Sequence, residues 1–511
     1  MTKKQKVAQS AAMIAIFTLI SKGLGFLREV MIASKFGSGM ETDTYFVAMT
    51  ATVIIMGTLG TALNTTLIPI FSEIGENHGK KAQRRYLNSV LNLIFLITII
   101  LAIIAFLISP LIIRVLAKGF EGEQFDLAVR LNRIGLPIII FLGFTYVFSG
   151  YLQSRQIFGP HAIMGIPYNL VFLIYLVFFA KDVNISTLML VSVMASLTQV
   201  LIQVPAVRHT GYRYSLNVNL EDPYLKKAMI LVVPVLLGSA VRQINGVIDK
   251  TLASELIEGS ISALTYAQRI NDMVIAVFVM AITTVIFPML SQAFSQGDNE
   301  QLKKILNQGV NIILLVTVPA TLGMILLAEP IVRIFFERNA FDAQATFMTS
   351  GALVFYSVGL VGSSLRLMLN RVFYSFHDTK TPMINGAMAV MLNVVLNLLF
   401  IKSMGHNGLA LATSIAAIFT TFLLFIDLRK KLGPIGLKGM FITFIKTIFA
   451  SAIMGIVVYL IYYKLGALVS GKKIIDMLIL LSSIAVGAIV YFIVCILLKV
   501  EEVSTIFRAR F

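Results

Sequence analysis

From about residue 8 to residue 498 the chain alternates long apolar stretches with short polar ones. Apolar runs of 18 or more residues read as membrane-spanning helices, and here they recur from end to end. The pattern places spans near 8–36, 42–73, 86–117, 124–150, 160–180, 186–207, 224–256, 262–292, 305–336, 343–370, 380–401, 406–428, 439–463 and 475–498. The expected fold is therefore all-α and polytopic, with about 14 transmembrane helices.

Laid out in this way, the spans repeat. "LIPIFSE" (67–73), near the end of the second span, matches "IFPMLSQ" (286–292), near the end of the eighth. "DTYFVA" (43–48) lines up with "ALTYAQ" (263–268). "YLQSRQIFGP" (151–160) and "FYSFHDTKTP" (373–382) each run from an aromatic residue to a proline that opens the next span. All three matches share an offset near 220 residues. Six helices is an even number, so both copies keep one orientation, a parallel repeat about an axis along the membrane normal. The expected organisation is an N-lobe over 1–215, a C-lobe over 216–433 and two extra helices over 434–511. The break between the lobes falls in the polar "RHTGYRYSLNVNLEDP" (208–223). Repeats of this kind are typical of secondary transporters, whose sites lie near the midplane between the copies.

Composition agrees with the pattern: 58% of the 511 residues are hydrophobic, 13% are charged, and mean hydropathy is +0.88. The start "MTKKQKVAQSAAMIAIFTLI" has the basic head of a signal peptide, but no small-residue cleavage site follows, so it reads as a retained first helix. The net charge of +17 would suit nucleic acid if it were clustered on a soluble surface. With both termini cytoplasmic, however, roughly 23 Lys and Arg fall on the inner connections and about 8 on the outer ones. The runs "GKKAQRR" (79–85), "LKK" (225–227) and "LRKK" (428–431) then serve topology and contact with anionic membrane lipids, and no nucleic acid is expected. A single cysteine, Cys495, excludes intrachain disulfides and cysteine metal clusters. "GENHGKKAQ" lacks the spacing and the Ser/Thr of a P-loop, and the five histidines (78, 161, 209, 377, 406) are scattered.

The informative charges are those inside the spans: Lys22, Arg28, Glu29 and Asp43 in the first lobe, and Arg242, Asp249, Lys250, Arg269 and Asp272 in the second. An ionised group at the bilayer centre costs about 2.5–3.5 kcal/mol on insertion scales, so three uncompensated cations would cost on the order of 9 kcal/mol. These groups must face water, a partner or a ligand. Lys22 and Glu29, seven apart, share a helix face, whereas Lys22 and Arg28 point about 120° apart on an ideal helix. Gly23 and Gly25 permit a kink or unwinding between them. Internal pairing is one reading: Arg28 with Asp43, Arg269 with Asp272, Arg242 with Asp249. It accounts less well for Lys22, Arg28 and Arg269 together, because all lie on the first two helices of a lobe. An excess of cations there suits an anion, and arginine binds phosphate bidentately.

At these residues the sequence resembles a known family. "SKGLGFLREVMIASKFGSGMETDTYFVA", "LIPIFSE", "TYAQRI", "FYSFHDTKTP" and "GHNGLALATSIAA" are similar to the MurJ/MviN family of lipid II flippases, within the MATE-like (MOP) exporter superfamily. The likeness spans nearly the whole chain. It implies a non-enzymatic carrier of the undecaprenyl-diphosphate-linked peptidoglycan precursor, moved from the inner to the outer leaflet of the cell's inner membrane by alternating access. The membrane potential, sodium or both would drive it. The resemblance puts substrate-binding roles on Lys22, Arg28, Glu29, Asp43 and Arg269. Many relatives carry a further arginine along the second helix, where this chain has Met56 and Gly57, so the grip on diphosphate would rest more on Arg28 and Arg269. No organic cofactor is implied. Some relatives bind sodium (Na+), and those ligands would fall on Asp249, Asn393, Asn397, Thr413 and the Leu409 carbonyl. Asparagines in "MLNVVLNLLF" are also common interhelical glue, and Thr413 can bond its own backbone. The polyprenyl tail would stay in lipid along a groove made by the last two helices, and the protein would function as a monomer. Three other functions compete. They are a flippase for another polyprenyl-linked glycan, a MATE-type drug exporter, which would want an acidic first-lobe cleft, and a membrane-embedded transferase, which would want a large outer loop.

Overall fold

In a computed structural model the chain is helical almost throughout, and the structure describes residues 3–179, 184–216, 219, 221–466 and 473–503. Helix is what a lipid environment dictates, because each backbone N–H and C=O must then find its partner within its own segment. Among the described residues fourteen long helical bodies follow one another, with two short helices, Ser109–Leu116 and Ala328–Phe336, between them. The long bodies are α1 (Lys3–Phe36), α2 (Met40–Asn77), α3 (Gly79–Leu107), α4 (Gly122–Ser154), α5 (Gly159–Phe178), α6 (Ile185–His209) and α7 (Pro223–Ser254). Next come α8 (Ser260–Ser295), α9 (Asn299–Leu326), the bent α10 (Ala343–Val358 and Leu360–Ser375), α11 (Lys380–Met404), α12 (His406–Leu432), α13 (Leu437–Lys464) and α14 (Ile474–Leu497). Among the described residues, 11 helices are long and apolar enough to cross a membrane, or 12 when α10 counts as one span. The other two, α1 and α7, have 34 and 32 residues, a length of about 50 Å at 1.5 Å per residue. The long bodies lie along the expected spans, although the spans expected over 86–117 and 305–336 break near Ile108 and Leu327, where the two short helices begin.

Two departures from that pattern have physical causes. The span expected over 343–370 bends by 48° between Val358 and Leu360. There the Ser414 hydroxyl of α12 donates to the carbonyl of Phe355 at 2.6 Å and to that of Tyr356 at 3.3 Å, taking up acceptors at the break. A Cβ on Gly359 would stand 2.5 Å from the same hydroxyl, so only glycine admits the approach. Helix α3 begins at Gly79 rather than near 86, because nothing in "GKKAQRRY" interrupts helix and its charged turns lie ahead of the apolar run.

The chain forms two compact units, Met1–Ser262 and Ala263–Phe511. In the first, α2 packs against α4 and α7. Its core gathers Leu67, Phe71, Tyr86, Leu87, Tyr151 and Leu152, with the Phe71 ring 5.2 Å from Tyr86 and 5.4 Å from Tyr151. Helix α3 buries two asparagines among its core residues and is apolar outside: Asn88 and Asn92 are buried, whereas Leu96, Ile100, Ile103 and Leu107 are exposed. Those asparagines hold the segment leading to α7, since Asn92 Nδ2 donates to the Ser215 carbonyl at 2.9 Å and Tyr214 Oη donates to Asn92 Oδ1 at 2.7 Å. In the second unit α9 packs on α13, and α11 on α12. Gly405 ends α11 at φ 57° and α12 starts at the next residue. That left-handed conformation favours glycine and turns the chain sharply enough to lay the two helices side by side.

Candidate functional site

Helix α1 stays continuous through Gly23 and Gly25; the unwinding that glycine permits does not occur. Instead, small residues let α5 come close. Asn169 Nδ2 donates to the Ser21 carbonyl at 3.1 Å and to the Gly165 carbonyl at 2.7 Å. A Cβ on Gly165 would stand 2.0 Å from Ser21 Oγ, and one on Gly25 would touch Asn169 at 3.7 Å. This close packing brings the α5 rings to Arg28. Its guanidinium carbon lies 5.3 Å from the Tyr168 centroid and 5.0 Å from that of Phe172. Arg28 Nη2 donates to Glu29 Oε1 at 2.7 Å, with the two side chains 15% and 3% exposed. Arg28 Nε is buried and has no acceptor among the described residues. Here, then, is a cation sheathed by aromatic faces, balanced by one neighbouring carboxylate and left with an unsatisfied donor. Such a group can receive an anionic oxygen.

The remaining first-unit candidates separate into different settings. Lys22 is exposed. Asp43 is buried and does not pair with Arg28. Its carboxylate accepts from the Gly259 amide at 2.8 Å, the Ser262 amide at 2.7 Å and the Ser262 hydroxyl at 2.6 Å. It thereby serves the orphan N–H groups at the start of α8, as a capping residue would. Lys250 on α7 donates to the Phe46 carbonyl at 3.3 Å and also bonds Thr50, which ties α7 to α2. Asp249 accepts from Asn245 Nδ2 at 3.3 Å. The Arg242 side chain lies outside the described residues.

In the second unit Arg269 and Asp272 are exposed on α8, just before a π-helical turn over Ile275–Val279. Such turns often mark functional stretches of a helix. Four of the sodium candidates meet on α11 and α12. Asn397 Nδ2 donates to Asn393 Oδ1 at 3.0 Å, Asn393 Nδ2 to Thr413 Oγ1 at 3.3 Å, and Thr413 Oγ1 to the Leu409 carbonyl at 3.1 Å. Both asparagines are fully buried. Among the described residues no group of three or more His, Cys, Asp or Glu side chains could hold a metal. A cation here would depend on amide, hydroxyl and carbonyl oxygens, a hard donor set that fits sodium. In this structure those same groups also bond one another.

The reading of the sequence passed over Tyr168, Asn169 and Phe172. A signal was there: two rings at i and i+4 share a helix face, and an asparagine lies between them in an otherwise apolar span.

Comparison with known proteins bears on the family and the fold. The family described as lipid II flippase MurJ matches residues 32–475. A probable lipid II flippase MurJ of Rickettsia prowazekii is 31% identical over 497 residues, covering 96% of this chain and 98% of the relative. The lipid II flippase MurJ of Burkholderia cenocepacia is 28% identical, covering 81% and 82%. A solved lipid II flippase MurJ in an inward closed conformation superposes with a TM-score of 0.79 at 27% identity, over 94% of this chain and 97% of that one. An inward-facing MATE multidrug transporter of the MOP superfamily shares the fold, with a TM-score of 0.69 at 14% identity over 82% and 98%. With the family matched over residues 32–475 and a 31% identical relative covering 96% of its length, the chain belongs to the lipid II flippase MurJ family.

Proposed function

We propose that this multi-pass membrane protein carries lipid II, the undecaprenyl-diphosphate-linked peptidoglycan precursor, from the inner to the outer leaflet of the bacterial inner membrane. The observation that carries the reading is Arg28, a ring-sheathed intramembrane cation whose buried Nε lacks an acceptor among the described residues. A diphosphate oxygen would take that donor and compete with Glu29 for the rest of the guanidinium, while Lys22 adds positive charge; Arg269 would be a separate cationic contact in the second unit. No bond of the substrate is made or broken; the residues bind, expose and release. Alternating access presents the head group first to the inside and then to the outside, with the tail left in lipid along α13 and α14. Both termini are cytoplasmic and the monomer is the working unit.

An inside-negative potential favours export of an anion by about 2.3 kcal/mol per charge per 100 mV, so a diphosphate with two charges gains about 4–5 kcal/mol. Sodium, where used, would be held by Asn393, Asn397, Thr413, the Leu409 carbonyl and Asp249, and would supply a second gradient for resetting the empty carrier. The test is complementation of a cell depleted of its own lipid II flippase. The intact chain restores growth, and Arg28→Ala and Arg269→Ala at equal abundance do not. Full rescue by both variants would remove the diphosphate-binding role.

A further inference from the structure

The second half of α10, Leu360–Ser375, has two unlike faces. Leu365, Met368, Leu369, Val372 and Phe373 lie in the core of the second unit. Ser363, Arg366 and Asn370, spaced i, i+3 and i+7, form a polar stripe along a different side. All three are only partly buried. The structure gives none of their side chains a hydrogen bond, ion pair or ring contact among the described residues. No buried polar atom lacking a partner belongs to any of them. Each of these polar atoms therefore keeps some accessible surface, although the Arg366 guanidinium is itself largely enclosed by the fold.

Arg366 stands nine residues before the end of α10, about 14 Å along the helix axis. Lipid-facing helices of the same unit look different, for α11 exposes Met391, Val395, Leu398 and Leu399. A guanidinium, an amide and a hydroxyl in a row are costly in hydrocarbon but at home beside water. Five fixed N–H donors with no carboxylate to neutralise them select an oxyanion, and a neighbouring amide and hydroxyl supply further donors to it.

We propose that the Ser363–Arg366–Asn370 face of α10 is a second anion-binding station, wetted by water, that takes a diphosphate group. The proposal rests on the flippase reading and extends it. Arg28 is then one of two places where the head group is held, and each of the two compact units contributes one.

The test uses the purified full-length chain in detergent. Undecaprenyl diphosphate is the probe, and Arg366→Gln, Arg366→Lys and Arg28→Ala are the variants. Arg366→Gln should weaken binding about tenfold, as the loss of one charge-assisted bidentate contact would, and Arg366→Lys, which keeps the charge but not the fork, should fall between Arg366→Gln and the intact chain. Inorganic diphosphate as the sole probe separates the sources. Affinity equal to the lipid's assigns the station to the free anion, and much weaker binding assigns it to the lipid head group. Unchanged affinity in Arg366→Gln, with a loss in Arg28→Ala, overturns this station and leaves the flippase reading intact. Unchanged affinity in both overturns the two together. Should Arg366→Gln fail to fold, Asn370→Cys in a Cys495→Ser background decides the matter. A negatively charged, water-soluble thiol reagent should modify it, and undecaprenyl diphosphate should protect it, whereas an unreactive thiol contradicts the wet face.

Discussion

Replacing Asp43 with asparagine keeps the shape and removes the charge. The carboxylate takes hydrogen bonds at 2.8 Å from the Gly259 amide and at 2.7 and 2.6 Å from the Ser262 amide and hydroxyl. Asparagine has one acceptor oxygen, so in its better orientation its NH2 group faces the Gly259 N–H. One charge-assisted bond is lost and a buried donor is left opposed by another, a cost of about 2–3 kcal/mol. At about 1.4 kcal/mol per tenfold, local opening at the start of α8 becomes about 30- to 150-fold more frequent. Hydrogen exchange of the Gly259 and Ser262 amides in detergent reads that number directly. Ser262→Ala, which loses only the hydroxyl bond, should show about tenfold or less. Protection unchanged in Asp43→Asn, together with lost transport, would refute the capping role and make Asp43 a substrate ligand instead.

Other expectations follow from single contacts. Phe172 is fully buried and one of two rings over Arg28, and desolvated cation–π contacts contribute up to about 2 kcal/mol. Phe172→Leu should therefore weaken undecaprenyl diphosphate binding at least several-fold, and equal binding would argue that the ring only fills space. A Cβ on Gly119 would stand 2.1 Å from the Ser254 carbonyl oxygen and 2.7 Å from Glu255 Cα. Because backbone cannot give way as a side chain can, Gly119→Ala should cost about 1–3 kcal/mol, seen as a lower thermal midpoint. Asp378 lies in the connection before α11. Burial pushes its carboxyl up, but bonds from Lys431 and from the Thr381 amide and hydroxyl prevail and hold it at about 2. A depressed carboxyl contributes stability that is full above an unfolded value near 4 and is lost as pH falls from about 4 to about 2. With Lys431 42% exposed, the contribution is about 1 kcal/mol. Asp378→Asn should flatten the stability profile between pH 5 and pH 2, and identical profiles would remove the assignment.

Span positions were legible because lipid leaves the backbone no alternative to helix and leaves apolar residues no reason to be broken up. Lys380–Met404 and His406–Leu432, for example, begin where the pattern put them. The α10 bend was hidden, because its cause is a serine 55 residues further along the chain. Charge inside the membrane was equally plain from the sequence, and Arg28 stood out for that reason. Its surroundings did not, since they come from α5, some 140 residues away. Asp43 shows the limit best. Its partners are 216 and 219 residues distant, and a carboxylate serving backbone amides carries no sequence signature. Arg366 was in plain view within "SSLRLMLNR". Its setting is not legible there, because only the packing of α10 reveals that it has no partner among the described residues.

The most direct test of the central claim is the rate at which lipid II reaches the outer leaflet in cells depleted of their own flippase and supplied with this chain. The intact protein should restore that rate, Arg28→Lys should restore part of it, and Arg28→Ala at equal abundance should leave lipid II inside. Translocation by Arg28→Ala at the intact rate would contradict the account.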